Sequence, residues 1–249
     1  MTGDVEDCLD SGAQVRAGGP VGRAGDPPAE AVAGLGSFLD RLRQYADLLA
    51  DEGVLRGLIG PREVPRLWER HLLNSLAAVQ LVPPGSSVID LGSGAGLPGV
   101  VWALARPDLQ VELVEPMLRR VTWLDEVVER LGLVGVRVTR ARAEDLRGQR
   151  SVDVVAARAV APLDRLAGWA LPLLRAGGEL LALKGASAAE ELERARPTLA
   201  RLGTRSATVL HPGAPGVSQP TTVVQVVTGS GPAAEDHRGP RAGARRRRR

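Results

Sequence analysis

The residues best suited to chemistry lie in a glycine-rich segment at 88–99, which reads VIDLGSGAGLPG. Its apolar start is typical of a buried strand, and Pro98 is suited to the first turn of a helix. Glycine permits positive φ angles and lets the backbone approach a ligand closely. In open parallel sheets, ligands bind at the carboxyl ends of the strands, where such turns lie. The segment therefore predicts a ligand cradle between a strand and a helix.

Two cofactor classes fit this turn. The string from Gly94 to Gly99 matches the Gly-x-Gly-x-x-Gly pattern of nicotinamide dinucleotide sites, a pattern that is weak on its own. Asp90 precedes the first glycine, where its charge would repel a pyrophosphate but not a cationic sulfonium. The chain also ends in two strand-like runs that a simple dinucleotide fold does not need. These features favour S-adenosylmethionine and leave the nicotinamide cofactor as the alternative.

Acidic residues follow the next two predicted strands. Glu115 ends the second strand, and a carboxylate there can accept hydrogen bonds from both ribose hydroxyls of either cofactor. Ala143 and Glu144 follow the third strand, where an adenine ring would lie against a loop. An Ala-Glu-Asp run is equally typical of a helix N-terminus. We therefore expect Glu115 in the cofactor site, with Ala143 and Glu144 beside it.

Two cations end the fourth and fifth predicted strands. Arg158 and Lys184, the only lysine of the chain, are both expected to point into the cofactor crevice. For Arg158 the alternative is a cation that pairs with Glu144 or Asp145 and fixes the loops. For Lys184 the alternative is an ordinary charge at a strand end.

The hydrophobic pattern from residue 86 onward indicates an α/β fold, because short apolar runs alternate with longer amphipathic stretches. Strands are predicted at 87–91, 110–115, 134–139, 152–156 and 179–184, and helices near 98–105, 118–132, 163–174 and 188–202. Runs at 207–210 and 222–227 have no helix between them, which predicts an antiparallel hairpin. The whole is a seven-stranded, mostly parallel sheet of Rossmann-like type, in a domain at 86–228.

The flanking segments differ from this domain. Apolar residues recur at helical spacing over 35–49 and 64–79, which predicts two helices in an N-terminal cap at 31–85. Residues 1–30 and 229–249 have no apolar period and are expected to be disordered. The second of these segments ends in five arginines and either binds phosphate groups non-specifically, with strong salt dependence, or is a solvated terminus.

Composition excludes several classes of function. One cysteine and three histidines give no plausible metal cluster or internal disulfide. No apolar run approaches the roughly 20 residues of a membrane span, and the N-terminus does not have the pattern of a signal peptide. We therefore expect a cytoplasmic protein that needs no metal and no membrane.

Four motifs occur in order along the chain, at 70–75 (RHLLNS), 90–99, 157–159 (ARA) and 183–185 (LKG). Together they resemble the RsmG family, also called glucose-inhibited division protein B, the bacterial 16S ribosomal RNA guanine-N7 methyltransferases. The resemblance covers roughly residues 35 to 228. It implies a Rossmann-like class I methyltransferase fold with an N-terminal helical cap.

The resemblance also implies an activity and a set of cofactor contacts. The activity is transfer of a methyl group from S-adenosyl-L-methionine to N7 of a specific guanine in 16S rRNA of the small subunit. The partner is then 16S rRNA or the small ribosomal subunit. The expected cofactor-binding residues are Gly92, Gly94, Leu97, Glu115, Ala143, Glu144 and Arg158.

Guanine N7 carries an in-plane lone pair and no proton, so no general base is predicted. Catalysis would depend on in-line positioning, with Arg158 and Lys184 as candidates for orienting the guanine. Arg70, His71 and Asn74 are candidates for RNA binding, although the family's usual residue at 74 is aspartate. For His71 the alternative is a buried histidine that links the cap to the sheet. Two other functions remain open: a nicotinamide-dependent oxidoreductase, and a non-catalytic RNA-binding factor in ribosome assembly.

Overall fold

The computed structural model describes residues 23–229, which contain a single sheet of seven strands. The strands are β1 (Ser87–Leu91), β2 (Gln110–Val114), β3 (Val136–Thr139), β4 (Val152–Arg158), β5 (Leu174–Lys184), β6 (Thr204–Leu210) and β7 (Thr222–Thr228). Their order is β3-β2-β1-β4-β5-β7-β6. The first five are parallel, and β7 runs antiparallel to both β5 and β6. The predicted fold class is confirmed.

Helices cover both faces of this sheet. They are α1 (Ala29–Leu35), α2 (Leu39–Leu48), α3 (Asn74–Val79), α4 (Gly99–Ala105), α5 (Leu118–Arg130), α6 (Leu163–Ala170) and α7 (Ala188–Arg201). The cap, α4 and α5 pack on one face, while α6 and α7 pack on the other. Side chains alternate along each strand between these two layers, so Val88 belongs to the first core and Ile89 to the second.

The second cap helix is not the regular α-helix that its apolar spacing predicts. It begins as a 3-10 helix at Pro61–Arg66, continues as a π-helix at Leu67–Leu73 and becomes α3 only at Asn74. Pro65 lies inside the first part and has no N–H to donate. The π-helical part therefore departs from the helical spacing that the sequence-based prediction over 64–79 assumed.

The boundaries of some elements also differ from the sequence-based expectation. The helix predicted at 163–174 ends at Ala170 and is followed by a 3-10 turn at Leu171–Leu173. β5 then begins at Leu174 rather than 179, and the register of its pairing with β4 shifts between Val152 and Val154.

The described chain begins with residues that pack against the cap. The amide of Ala24 donates to Asp47 Oδ1 at 3.3 Å, and Trp68 Nε1 donates to the carbonyl of Gly25 at 2.8 Å. The expectation of disorder is therefore wrong for residues 23–30. Residues 1–22 and the basic segment from residue 230 onward lie outside the described residues.

The loop between β6 and β7 holds the cap from the other end of the chain. Ser218 donates its amide to Glu69 Oε1 at 3.0 Å, and Thr221 Oγ1 donates to the carbonyl of Asn74 at 3.0 Å. Gln80 Nε2 adds a hydrogen bond to the carbonyl of Gly213 at 3.1 Å. Residues near the start of the fold are thereby joined to residues near its end.

Among residues 23–229, no helix combines the length and the hydropathy that crossing a membrane requires. The same range contains no group of three or more histidine, cysteine, aspartate or glutamate side chains placed to hold a metal ion.

Gly99 begins α4 at a point where the backbone is tightly packed. A Cβ atom at this position would lie 2.8 Å from Asp90 Cβ and still closer to the side chain of Leu113. We expect Gly99→Ala to lower the free energy of unfolding by about 1 to 3 kcal/mol, because both neighbours would have to move within a packed core.

Gly168→Ala is the matched control for this substitution in urea denaturation. Gly168 lies inside α6, and a Cβ there would meet no atom within 4 Å. Alanine has a higher helix propensity than glycine, so the free energy of unfolding of this variant should rise by roughly 0.5 to 1 kcal/mol. Equal effects of the two substitutions would contradict the packing described for Gly99.

Candidate active site

A cleft of about 810 Å³ opens at the carboxyl ends of the central strands. Its walls come from the ends of β1, β2 and β4, from the loop at 140–145 after β3, and from α6. The winding of the sheet reverses between β1 and β4, which is where open α/β sheets place their ligands. The glycine turn predicted as a cradle lies at this point.

Gly92 starts the turn with a φ angle of 71°, and its amide donates to the carbonyl of Val114 at 2.9 Å. A Cβ on Gly92 would lie 2.9 Å from Val160 Cγ2, just beyond the end of β4. Ala159, before Val160, has a φ angle of 55°, which is uncommon for a residue other than glycine. The ends of β1 and β4 therefore approach so closely that only glycine fits at position 92.

The far side of the turn is fixed through one carbonyl group. The carbonyl of Ala95 accepts hydrogen bonds from Tyr45 Oη and from Trp123 Nε1, both at 2.9 Å. Tyr45 belongs to the cap and Trp123 to α5, and both side chains are buried. The cap thus contributes to the shape of the cradle without lining the cleft.

Glu115 is the acidic residue of the cleft that lies nearest the turn. Its Oε1 accepts a hydrogen bond from the amide of Met117 at 3.0 Å, and its Oε2 accepts one from the amide of Gly94 at 3.1 Å. Arg120 lies 3.5 Å from Oε2. Oε2 already accepts from Gly94 and Arg120, whereas Oε1 can accept a second hydrogen bond, so Glu115 retains capacity for a hydroxyl group of a ligand.

Residues 143–146 form a 3-10 turn beside Glu115. Ala143 is buried against the floor of the cleft, while Glu144 is exposed at its rim. The Asp145 carboxylate accepts a hydrogen bond from the amide of Arg142 at 3.1 Å, which fixes the start of the turn. The structure thus brings Gly92, Glu115, Ala143 and Glu144 together at one cleft, with Gly94 bonded to Glu115 beside it.

Arg158 and Lys184 do not share a crevice, so that expectation is wrong. Arg158 pairs with Leu183 in the sheet and faces the same side, toward the cap. Lys184 is one residue further and faces the opposite side, where its Nζ lies 2.7 Å from Glu191 Oε2 and 2.7 Å from the carbonyl of Ala161. Neither side chain is among those that line the cleft.

Arg158 instead fastens the cap to β4. Its guanidinium donates to the carbonyls of Arg70 at 3.1 Å and His71 at 3.2 Å, and to Ser75 Oγ at 3.3 Å. The alternative interpretation, in which Arg158 pairs with Glu144 or Asp145, is therefore wrong. Burial lowers the pKa of the Arg158 guanidinium, but its ordinary value is so high that the group stays charged.

His71 continues this connection. Its Nδ1 lies 2.7 Å from an Arg158 nitrogen that can only donate, so Nδ1 accepts. The proton of the neutral ring is then on Nε2, which lies 2.9 Å from Glu63 Oε2. Burial and the charge of Arg158 lower the pKa of His71. The geometry favours the link between cap and sheet over a role in RNA binding.

The other two candidates for RNA binding differ in exposure. Arg70 is half exposed and lies 3.7 Å from Glu63. Asn74 is partly buried, and its carbonyl is bonded to Thr221. Leu97, which the family resemblance placed in the cofactor site, is buried in the core on the cap side and does not line the cleft. Of these residues, only Arg70 presents a charged group to solvent.

The sequence predicts that the charge of Asp90 acts on the bound cofactor, but in the structure its carboxylate is bonded within the protein. Its side chain is fully buried, and Oδ2 accepts a hydrogen bond from the amide of Gly99 at 3.0 Å, whereas Oδ1 has no partner in residues 23–229. It points toward the cap layer and not into the cleft. Asp90 is therefore not placed to discriminate directly between a pyrophosphate and a sulfonium.

Sequence reasoning missed several residues that line the cleft. Arg120, Arg140 and Arg142 bring positive charge to its wall, and Met117 and Trp169 bring large apolar surfaces. The arginines are hard to single out in a chain so rich in arginine. Trp169 had a usable signal, since tryptophan is rare here and this one lies on the helix after β4.

Residues 39–216 match the family model described as rRNA small subunit methyltransferase G. A protein named ribosomal RNA small subunit methyltransferase G from Thermobifida fusca (strain YX) is 60% identical over 191 residues, which cover 77% of this chain and 81% of the relative. Its namesake from Streptomyces coelicolor is 55% identical over 218 residues, which cover 85% and 91% of the two chains.

A solved structure supports the same fold. The structure from Methanococcus maripaludis, assigned as an S-adenosyl-L-methionine-dependent methyltransferase, superposes with a TM-score of 0.52 at 11% sequence identity. The match covers 74% of this chain and 92% of the other. At this low identity, the likeness concerns the fold alone.

The environment of Asp90 predicts a pH dependence of stability. Burial raises the pKa of its carboxyl from 3.8 to about 6. Its contribution to stability is therefore fully present below pH 3.8 and is lost as the pH rises through 6, because the folded protein must then hold a buried charge. We expect the free energy of unfolding of Asp90→Asn, relative to that of the parent protein, to rise by about 1 kcal/mol from roughly pH 5 to pH 8.

Urea denaturation of both proteins across this range measures the difference. The lowered pKa of His71 affects both proteins in the same direction, so its contribution cancels. Two stability curves that stay parallel from acid to neutral pH would contradict the buried, half-satisfied carboxylate.

Proposed function

The chain belongs to the family of rRNA small subunit methyltransferases G, and on this premise we propose that it transfers the methyl group of S-adenosyl-L-methionine to N7 of a specific guanine in 16S rRNA. The proposal is supported above all by the cleft beside the glycine turn, where Gly92, Glu115 and the 143–146 turn converge at the point of strand reversal. The partner is 16S rRNA, either free or within the small ribosomal subunit.

The residues of the cleft fit the proposed cofactor. Gly92 brings its backbone to the cleft without a Cβ that would press on Val160, and Oε1 of Glu115 can accept a ribose hydroxyl. Ala143 and Glu144 supply a wall for the adenine. When bound, S-adenosyl-L-methionine supplies an electrophilic methyl group on a sulfonium. Gly92, Gly94, Glu115, Ala143 and Glu144 are thus our proposed cofactor-binding residues.

The chemistry requires positioning and not proton transfer. Guanine N7 attacks through a lone pair in the plane of the ring, and no proton leaves the base. The protein must hold this lone pair in line with the bond that breaks and keep water out. Neither Glu115 nor Glu144 has to act as a general base in this step.

Arg158 and Lys184 are proposed to act through the segment that follows β4. Arg158 anchors the end of β4 to the cap, and Lys184 holds the carbonyl of Ala161 from the opposite face. Between these anchors, Ala159 and Val160 line the cleft beside Gly92. Both cations are therefore positioning residues, and the guanine they help to orient is proposed to enter at Ala159 and Val160.

The alternatives have less support. A nicotinamide-dependent oxidoreductase does not agree with the family, whose members at 55% and 60% identity are named methyltransferases. A non-catalytic assembly factor would bind RNA through the same surfaces but transfer no methyl group, so it is separated from our proposal by the assay below.

The function is tested by incubating the full-length protein with methyl-labelled S-adenosyl-L-methionine and small subunits from a strain that lacks the gene. We expect label in 16S rRNA at a single guanine that becomes sensitive to chemical cleavage specific for N7-methylguanine. Label on another atom would overturn the N7 assignment, and RNA binding without label would favour the assembly factor.

Gly92→Ala is the informative variant in this assay. The new Cβ would contact Val160 and adopt a φ angle of 71°, so we expect at least a tenfold loss of cofactor affinity by calorimetry. Gly177→Ala is the control, because Gly177 has a φ angle of 73° but no atom within 4 Å of a Cβ and lies at the start of β5. Equal losses in both variants would reflect backbone strain alone.

The cleft also predicts where RNA phosphates bind. Arg140 and Arg142 are exposed at its rim. We expect the double variant Arg140→Gln, Arg142→Gln to reduce the slope of log affinity against log salt by about 0.7 for each lost phosphate contact. Filter binding of 16S rRNA between roughly 50 and 200 mM salt measures this slope.

Arg201→Gln with Arg205→Gln removes the same charge from α7 and β6. This control variant should leave the slope close to that of the parent protein. If the two double variants changed the slope equally, overall charge and not the rim of the cleft would explain RNA binding.

A further inference from the structure

Trp169 differs from the other tryptophans of the protein. The indole Nε1 of Trp68 donates to the carbonyl of Gly25 at 2.8 Å, that of Trp102 to Ser75 at 2.8 Å, and that of Trp123 to Ala95 at 2.9 Å. All three side chains are buried and have a structural role. Trp169 is only partly buried, and its Nε1 donates to no acceptor within the described part of the chain.

The surroundings of Trp169 place it in the wall of the cleft. It lies on α6, which packs against the 143–146 turn, and its side chain lines the same cleft as Gly92 and Glu115. The guanidinium of Arg165, one helical turn earlier, lies 5.8 Å from the centroid of the indole ring. This cation–π contact helps to hold the ring in place without covering the cleft with charge.

The apolar part of the cleft lies between Trp169 and Met117. Met117 follows β2 and Trp169 follows β4, so the two side chains come from opposite sides of β1 in the sheet order. Leu91, Val114 and Ala143 complete the apolar surface between them. Glu115, the proposed ribose ligand, lies next to this surface. A flat aromatic group attached to that ribose would therefore meet Trp169.

We propose that the indole of Trp169 contacts the adenine of S-adenosyl-L-methionine by stacking and so determines how tightly the cofactor is held. This inference rests on the proposed function. Stacking of a base on an aromatic side chain is favourable because both rings bury apolar faces, and its loss on substitution by alanine is large. Trp169 is accordingly a cofactor-binding residue that no glycine or acidic motif of the sequence indicates.

The full-length protein is tested with S-adenosylhomocysteine, which binds without reacting and needs no RNA. In calorimetry we expect Trp169→Ala to weaken binding roughly tenfold to hundredfold, and Trp169→Phe to remain within about threefold of the parent protein. Arg165→Gln is the matched control, because it removes the cation and keeps the ring. Its affinity should stay within about twofold of the parent value.

Intrinsic fluorescence gives a second readout that does not depend on activity. The ligand should quench tryptophan emission of the parent protein, and this quenching should disappear in Trp169→Phe, because the other three indoles are buried away from the cleft. The phenylalanine variant keeps an aromatic ring at this position, so this readout remains available if Trp169→Ala does not fold.

The outcomes separate the two proposals. If the parent protein does not bind S-adenosylhomocysteine, the proposed function fails. If it binds and Trp169→Ala binds equally well, or quenching persists in Trp169→Phe, the role of Trp169 is wrong. Repetition with 5′-methylthioadenosine, which keeps the adenine and lacks the amino acid, should show the same loss in Trp169→Ala. No loss with this ligand would place the contact on the amino-acid part and overturn the stacking.

Discussion

The arrangement of the cap and the cleft depends on the hydrogen bonds between the Arg158 guanidinium and the second cap helix. A guanidinium removed from water has a large desolvation cost, which is offset only when its donors are bonded with good geometry. Here two backbone carbonyls, a hydroxyl and an imidazole nitrogen accept them, all from the second cap helix. Since Arg158 is also the last residue of β4, the cap cannot shift without moving the strand end that forms one side of the cleft.

The same contact is made by the irregular part of the second cap helix. The carbonyls of Arg70 and His71 that bind Arg158 lie in the π-helical part, where the usual hydrogen-bond ladder is altered. His71 is fixed between Arg158 and Glu63, so its tautomer is determined by its neighbours. Tyr45 reaches the glycine turn from the first cap helix. The cap is thus a support for the cofactor site rather than an appended lid.

The strands and the glycine turn were predictable because they rest on local patterns that survive small errors of position. The position of Glu115 and Ala143 at the cleft was predictable for the same reason, because Glu115 follows β2 in the sequence and Ala143 follows β3. The directions of Arg158 and Lys184 were not predictable, since side chains alternate and a difference of one residue in register reverses the face. The prediction for Asp90 was wrong for the same reason, because Asp90 faces the cap layer while its neighbour Leu91 faces the cleft. Trp169 depends on how α6 packs, which spacing alone does not give.

The hydrogen bonds between the cap and the β6–β7 loop have a consequence for the biosynthesis of the protein. Asn74 and Thr221 are 147 residues apart in the chain, so this bond forms only after nearly the whole fold has left the ribosome. The amphipathic cap segments are made early and must wait with exposed apolar faces while the sheet is translated. Contacts of such long sequence separation slow folding. The last two strands therefore complete the sheet, and the loop between them forms the hydrogen bonds that hold the cap, which is synthesised first.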